Sequence, residues 1–435
     1  MVSRPETWYS SLSARSRRSA VTITLERGAP FCAPSCPSHR VRYIASYSEF
    51  MSQLSIAKVE WAILEGRRPR SAGCNARLGE HGSVVRVPIT RLTTSEGATG
   101  FGFARCDEAR AQQLTGQPVA ALFDTVRGVP EDWRFAECPI WDLIGNIQRA
   151  PVYKLAAAIN GSECPGELRV PCYDTSLYID DLYLADDLDA AALIAREASE
   201  GYARGHRAFK IKVGRGARHM PLQEGMRRDI LVIRAVREAV GAKCSLMIDA
   251  NNGYNLNLAK QVLLDTRDCN LFWLEEAFHE DAVLYRDLKE WMKVNGLRVL
   301  IADGEGEASS NLVSWAQDGL VDVIQYDIFG HGFTRWLETG KLLDGLKGVK
   351  VRSAPHHYGG HYGNYVSCHL ASAIEGYAIT EWDEAITPGL DTSNYSMNGG
   401  VVHVPNVPGF GLKLDDGVFT EIVARHGGSI DGCPM

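Results

Sequence analysis

Seven apolar runs in the second half of the chain each end on acidic or basic residues. They are AFKIK (Lys210, Lys212), SLMID (Asp249), LFWLEE (Glu275, Glu276), VLIADGE (Glu305), VIQYD (Asp327), VRSAPHH (His356, His357) and AITE (Glu381). From Lys212 onward the charged positions lie 22 to 37 residues apart, close to the roughly 31 expected when about 250 residues are divided among eight strand–helix units. Amphipathic stretches such as DLDAAALIAREASEGYARG and RRDILVIRAVREAVG fall between the runs, and strand alternating with helix implies a parallel sheet. No GxGxxG or P-loop pattern follows the first strand, so a closed β/α barrel fits better than a doubly wound sheet. The C-terminal ends of parallel barrel strands share one face, so these charged residues converge on one mouth.

Outside this region the pattern changes. Residues 1–50 are rich in Ser, Arg and Pro and poor in acids, which predicts a disordered or atypical extension. Cys32, Cys36 and His39 within it do not have the spacing of a zinc site. From Met51 to residue 168 the sequence predicts an α+β domain. LSIAKVEWAIL alternates like a strand, a polar Arg-rich loop spans Gly66 to Gly79, SVVRVPIT and ATGFGFA continue a meander, and WRFAECPIWDLIGNIQRAPVYKLAA has helical spacing. The barrel then occupies 169–392, and the Gly/Pro-rich segment 393–435 folds back on the first domain.

At 435 residues, 45% apolar and 23% charged, the chain is long enough for a barrel and one accessory domain. A net charge of −7 gives no basic field for nucleic acid or anionic lipid, and no apolar run reaches the 18 or so residues of a membrane span. The expected partner is a small-molecule carboxylate, in a cytoplasmic protein that forms a homo-oligomer. Several of the eleven cysteines lie in apolar strands or helices (Cys172, Cys244, Cys368), as expected of reduced core residues.

Asp249, Glu275 and Glu305 are hard oxygen ligands on three consecutive strand ends, with no Cys or spaced His among them, and suit Mg²⁺. Lys210 and Lys212, two apart on one strand, share a face. Facing inward they need opposing carboxylates or a bound anion, and their mutual repulsion, with the nearby metal, predicts a pKa for one of them lowered toward the range useful for a base. In the other register, Phe209, Ile211 and Val213 form the core face and the lysines are solvated. Asp327 and His356 end the sixth and seventh strands, across the cavity from the lysines. An Asp bound to a His fixes its tautomer and raises its basicity; His357 or His361 is the alternative participant.

The ordered set Lys-x-Lys, Asp, Glu, Glu, Asp, His, Glu on strands two to eight resembles the enolase superfamily, in its mandelate racemase-like subgroup (the mandelate racemase/muconate lactonizing enzyme family), from about Leu54 to Leu414. The resemblance implies a modified TIM-like barrel with an α+β N-terminal capping domain completed by the C-terminal segment. It implies Mg²⁺ on Asp249, Glu275 and Glu305, Lys212 as one base and the Asp327–His356 dyad as the other. Lys210 and Asn251 would hold the substrate carboxylate, and Glu381 would hydrogen-bond to the enolate oxygens. The Arg67 to Arg77 stretch matches the cap loop that closes over substrate, which makes Arg67 and Arg77, with His357, candidate substrate contacts.

Such a set removes a proton next to a carboxylate while Mg²⁺ and a cationic lysine neutralise the developing enediolate charge; a Lys or His base with Mg²⁺ is the recognised arrangement of this superfamily. With a hydroxyl on the β-carbon the outcome is dehydration of a sugar acid to a 2-keto-3-deoxy acid, the preferred expectation. Without it, bases on both faces give a racemase or epimerase of a 2-hydroxy acid. A non-catalytic barrel has no physical reason to keep costly inward charges, and a metal-dependent hydrolase would want several His ligands. Three departures from the family stand out. Ala277 replaces the usual Pro, GRGARHMPLQEGM is a long connection after the second strand, and Asn251 stands where some sugar-acid dehydratases carry a His, which argues against a mannonate- or galactonate-type enzyme.

Overall fold

The computed structural model describes residues 51–432 apart from 52, 307, 358 and 359. The extension expected over 1–50, with Cys32, Cys36 and His39, lies outside the described residues. The first element is strand β1 (Ile56–Ala72), followed by β2 (Gly82–Thr94) and β3 (Thr99–Phe103) in an antiparallel meander. Strand β1 is longer than expected, because half of the Arg-rich segment read as a loop is strand. Gly66 pairs with Val85, Arg67 with Val84 and Ala72 with Gly82. Arg67 is exposed and Arg68 buried, the period-2 alternation of a strand carried by polar residues. Helices α1 (Glu108–Leu114), α2 (Val119–Leu122), α3 (Glu137–Gln148) and α4 (Val152–Asn160) complete this part.

Eight parallel strands follow: β4 (Leu168–Leu177), β5 (Ala208–Lys212), β6 (Ser245–Asp249), β7 (Leu271–Glu275), β8 (Leu300–Asp303), β9 (Val323–Ile324), β10 (Arg352–Ser353) and β11 (Thr380–Trp382). From β4 to β10 each pairs with the next, β11 pairs with β4, and a bridge between Ser353 and Tyr377 closes the circle. The crossovers carry α5 (Asp187–Ala203), α6 (Leu222–Val240), α7 (Leu256–Asp265), α8 (Ala282–Val294), α9 (Leu312–Gln317), the short α10 (Ile328–His331), α11 (Phe333–Asp344) and α12 (Tyr362–Leu370). Their starts are encoded locally: Asp186, Asn255 and Asp281 accept hydrogen bonds from first-turn N–H groups of α5, α7 and α8, as N-caps do.

Alternation along the strands divides the barrel core into two. Tyr173, Ala208, Met247, Trp273, Ala302, Val323, Ala354 and Ile379 fill the interior. Phe209, Ile211, Leu246, Ile248 and Leu274 face the helices. That settles the register of AFKIK, with Lys210 and Lys212 on the interior face above Ala208.

Beyond β11 come β12 (Leu390–Asp391), β13 (Ser396–Asn398), β14 (Val401–Val404), β15 (Lys413–Leu414), helix α13 (Asp416–His426) and β16 (Gly428–Asp431). This segment serves both parts of the fold, since β14 adds antiparallel to β4 and β16 to β1. Buried carboxylates also join the parts. Glu137 on α3 accepts from the N–H groups of Phe333 and Thr334 at the start of α11, and Asp142 accepts from those of Phe101 and Phe410. Among the described residues no helix is long and apolar enough to cross a membrane, and no two of the described cysteines are joined in a disulfide.

Candidate active site

Strand register assembles the site. Lys212 is paired with Asp249, Asp249 with Glu275, and Glu275 with Ala302, so three consecutive strands place functional groups at one level of the barrel interior. Glu305 follows two residues after β8 and joins them. Asp249, Glu275 and Glu305 each offer a carboxylate oxygen, and these atoms all lie within 4.8 Å of one another. The expected metal triad is therefore brought together.

Both lysines are buried against these carboxylates. Lys210 Nζ lies 2.6 Å from Glu275 Oε1, 3.5 Å from Asp249 Oδ2 and 3.6 Å from Glu381 Oε1, and Lys212 donates to Asp249. Burial pulls both down, but Glu275, Tyr173 and Glu381 around Lys210, and Asp249 beside Lys212, outweigh burial and mutual repulsion and raise both. Burial would raise Asp249, yet Lys212 and Lys210 hold it at about 2. Burial and Asp249 push Glu275 up to about 8 in spite of Lys210.

Charge balance identifies what this cluster accepts. Asp249, Glu275, Glu305 and Glu381 are four carboxylates facing the two ammonium groups of Lys210 and Lys212. Burial, and then the charge of Asp249, drives Glu275 upward, and a divalent cation relieves the repulsion among the carboxylates. The donors are all oxygens, as Mg²⁺ requires, and Glu305 Oε2 is a buried oxygen without a hydrogen bond.

Across the barrel, Asp327 and His356 pair as expected, with Oδ2 3.0 Å from Nδ1. Asp327 is fixed from the other side because its Oδ1 accepts from the N–H groups of Phe329 and Gly330 and caps α10. His356 Nε2 points inward, 3.3 Å from Glu305 Oε2. Burial disfavours the imidazolium, but Glu305, Glu381 and Asp327 raise it to about 9. Glu381 is held well below the ordinary carboxylate range: burial opposes this, while Lys210, His356 and His357 favour it. Its oxygens accept from Thr175 Oγ1 at 2.6 Å and His357 N–H at 2.8 Å.

The three further residues expected to contact substrate are placed differently from one another. Arg67 is exposed on the outer face of β1, with its backbone paired to Ile386, and Arg77 is exposed at the tip of the β1–β2 hairpin. His357 is fully buried with Nε2 2.8 Å from the Glu381 carbonyl. Strand alternation explains Arg67, since it is Arg68 that points inward, where its Nε and Nη2 contact Asp383 Oδ1 and Oδ2 at 2.8 and 2.7 Å. Asn251 is in place. Its amide nitrogen donates to Glu276 Oε2 and Glu305 Oε1 at 2.9 and 3.0 Å, and its φ of 41° is left-handed.

Several contributors have no strand-end signal. Trp273 Nε1 and Gln325 Nε2 both donate to Glu275 Oε2 at 2.9 Å. Trp273 and Gln325 lie two residues before Glu275 and Asp327, so period 2 applied backwards from each acid would have found them. Asp383 lies two beyond Glu381 on the same principle.

Residues 193–418 match the sequence family described as enolase C-terminal domain-like. Galacturonate dehydratase from Geobacillus sp., crystallised with D-galacturonate and 5-keto-4-deoxy-D-galacturonate, is 49% identical, with a TM-score of 0.82 over 87% of this chain and 99% of that one. A mandelate racemase/muconate lactonizing protein from Geobacillus sp. Y412MC10, complexed with magnesium and tartrate, is also 49% identical, with a TM-score of 0.84 over 87% and 98%. D-galactarolactone cycloisomerase of Agrobacterium fabrum is 27% identical over 56% of this chain, a match that spans 64% of that enzyme.

Proposed function

The chain belongs to the enolase C-terminal domain-like family, and from that premise we propose that it is a Mg²⁺-dependent lyase that dehydrates a sugar acid, with galacturonate the first candidate. The observation that carries this reading is that the barrel interior brings together a carboxylate triad beside Lys210 and Lys212 and an oriented His356–Asp327 dyad. The half-identical Geobacillus dehydratase supports the substrate class.

In this account Asp249, Glu275 and Glu305 hold the metal. Bound Mg²⁺ supplies positive charge that orients the substrate carboxylate and stabilises the charge that develops as the α-proton leaves. Lys210, the more deeply enclosed ammonium, donates to a carboxylate oxygen of the substrate. Lys212 takes the α-proton. Asp249 keeps it an ammonium; a carboxylate shared with a bound cation would hold it less strongly, and repulsion from Lys210 would then favour the neutral amine. On the opposite wall His356, an imidazolium at neutral pH by the position of its pKa, gives its proton to the β-hydroxyl, which departs as water. The enol that remains takes a proton at the β-carbon and becomes the keto acid. For galacturonate the α-hydrogen is on C5 and the hydroxyl on C4, so the product is the 5-keto-4-deoxy acid.

Two bases facing each other also permit racemisation or epimerisation of a 2-hydroxy acid, the second reading. A panel of uronic, aldonic and simple 2-hydroxy acids, incubated with holoenzyme and assayed for 2-keto acid and for optical rotation, separates them. Keto acid from a sugar acid supports dehydration; rotation change without keto acid replaces it with the second reading. The free thiols further support a reducing, cytoplasmic setting, and light scattering would test the homo-oligomer expected from sequence.

A further inference from the structure

Glu275 is held on both of its oxygens. Oε2 accepts from Trp273 Nε1 and from Gln325 Nε2, each at 2.9 Å, and Oε1 accepts from Lys210 Nζ at 2.6 Å. An ionised carboxylate has about four acceptor sites, shared between its two oxygens. Both sites on Oε2 are therefore filled by neutral donors, while Oε1 keeps one site beside Lys210. Glu305 is bound differently. Its Oε1 takes the Asn251 amide at 3.0 Å, and among the described residues its buried Oε2 has no hydrogen bond.

The two donors have no part in the chemistry above, yet the barrel interior is arranged around them. Trp273 and Gln325 are fully buried, one on β7 and the other directly after β9. Strand β8 lies between those two strands and brings only the small Ala302 to the interior core, which leaves the Gln325 amide room to reach Glu275. Trp273 is set edge-on against Tyr173, with ring centroids 5.6 Å apart and planes at 89°. Gln325 Oε1 is buried and, among the described residues, has no hydrogen bond. A half-satisfied amide in a barrel core is costly, whereas an apolar side chain of the same length carries no such penalty. Neutral N–H groups also leave the charge of Glu275 available to a cation.

We propose that Trp273 and Gln325 are positioning residues that clamp Glu275 Oε2, so that Glu275 offers a cation one oxygen instead of two, and that this clamp selects Mg²⁺ against Ca²⁺. The ion site rests on the function proposed above; the clamp rests on the hydrogen bonds. Mg²⁺ demands a near-ideal octahedral set of oxygens, whereas Ca²⁺ takes about six to eight and accepts a carboxylate through both oxygens. A one-oxygen Glu275 suits Mg²⁺ and denies Ca²⁺ an extra ligand. Partners that orient a metal ligand commonly change metal affinity by about 10–100-fold.

The test is calorimetric titration of the metal-free, full-length protein with MgCl₂ and with CaCl₂, comparing wild type with the double variant Trp273→Phe/Gln325→Met. These substitutions remove the two donors and keep most of the bulk. The Mg²⁺ Kd should rise by about 10–100-fold and the Ca²⁺ Kd much less, so that the preference for Mg²⁺ narrows by about tenfold or more. Lost packing alone would weaken both ions alike, so equal weakening overturns the clamp, as does an unchanged ratio. If thermal melting without metal shows the double variant unfolded, Gln325→Met alone decides the question by the same ratio. Wild type that binds neither ion overturns the metal site and the proposed function with it. Mg²⁺ binding with an unmoved ratio overturns the clamp and leaves that function standing.

Discussion

His356 Nδ1 sits 3.0 Å from Asp327 Oδ2, and the other oxygen of the same carboxylate accepts the N–H groups of Phe329 and Gly330. The Asp therefore orients the imidazole from a helix start that it also caps. Nε2 is left to face the barrel interior, 3.3 Å from Glu305 Oε2.

Replacing Asp327 with Asn keeps a capping oxygen but removes the negative charge. Its His356 partner, raised to about 9 with help from Glu381, Glu305 and Asp327, then titrates lower. The expected outcome is a fall in kcat of roughly 10²-fold or more and an acid-side shift of the alkaline limb of the pH–rate profile. NMR titration of His356 in the metal-free protein checks the shift independently of turnover.

Metal removal is expected to abolish activity reversibly. Mg²⁺ that binds only the folded protein raises the thermal midpoint, by about 2.7 kcal/mol of stability at a hundred times its Kd. Glu305→Gln should lose most of this increment while folding normally, since Glu305 is half-buried at the rim of the triad. An equal Mg²⁺ shift in wild type and variant would remove Glu305 from the ligand set.

Neighbouring arginines should behave oppositely. Arg68→Ala strands Asp383, whose side chain is 2% exposed, and breaking a buried pair this way costs about 3–5 kcal/mol. Arg67→Ala removes an exposed side chain and should change stability by less than about 0.5 kcal/mol. Thermal unfolding of the two variants gives the comparison directly.

Burial, against several hydrogen bonds, pushes Glu137 up to about 7 from an ordinary 4.5, and Asp142 up to about 7 from 3.8. Below pH 4 both folded and unfolded chains hold these protons. Between about pH 4.5 and 7 the unfolded chain has released them and the folded protein has not, so stability falls as pH rises, by about 1.4 kcal/mol per pH unit for each group. Above pH 7 the loss is complete and the dependence flattens. Glu137→Gln should show a shallower decline between pH 5 and 7 than wild type; parallel curves would contradict the assignment.

Much of this site is written at strand ends, because a barrel strand ends where its polar residues begin. Asp249, Glu275, Glu305, Asp327 and His356 could be found from one apolar run each, and their convergence follows from parallel strands alone. The register of Lys210 and Lys212 could not be read from AFKIK, since apolar residues flank both lysines and all five positions are buried. Which of Arg67 and Arg68 faces inward could not be read from the sequence, because β1 continues through a polar stretch, where no hydrophobic alternation marks the faces. How firmly the lysines are held as ammonium groups was not legible, because sequence shows the neighbour two residues along the strand but not the carboxylates that adjacent strands bring within 2.6 to 3.6 Å of Lys210.

The most direct test of the central claim is a ¹H NMR time course of D-galacturonate with the Mg²⁺-loaded protein in D₂O, with Lys212→Ala alongside. The account predicts loss of the C5 hydrogen signal and appearance of a 5-keto-4-deoxy acid carrying one solvent deuterium at C4, with the variant slower by roughly 10²–10⁴-fold but still binding Mg²⁺. An unchanged substrate spectrum, or exchange at C5 with no keto acid, would contradict it.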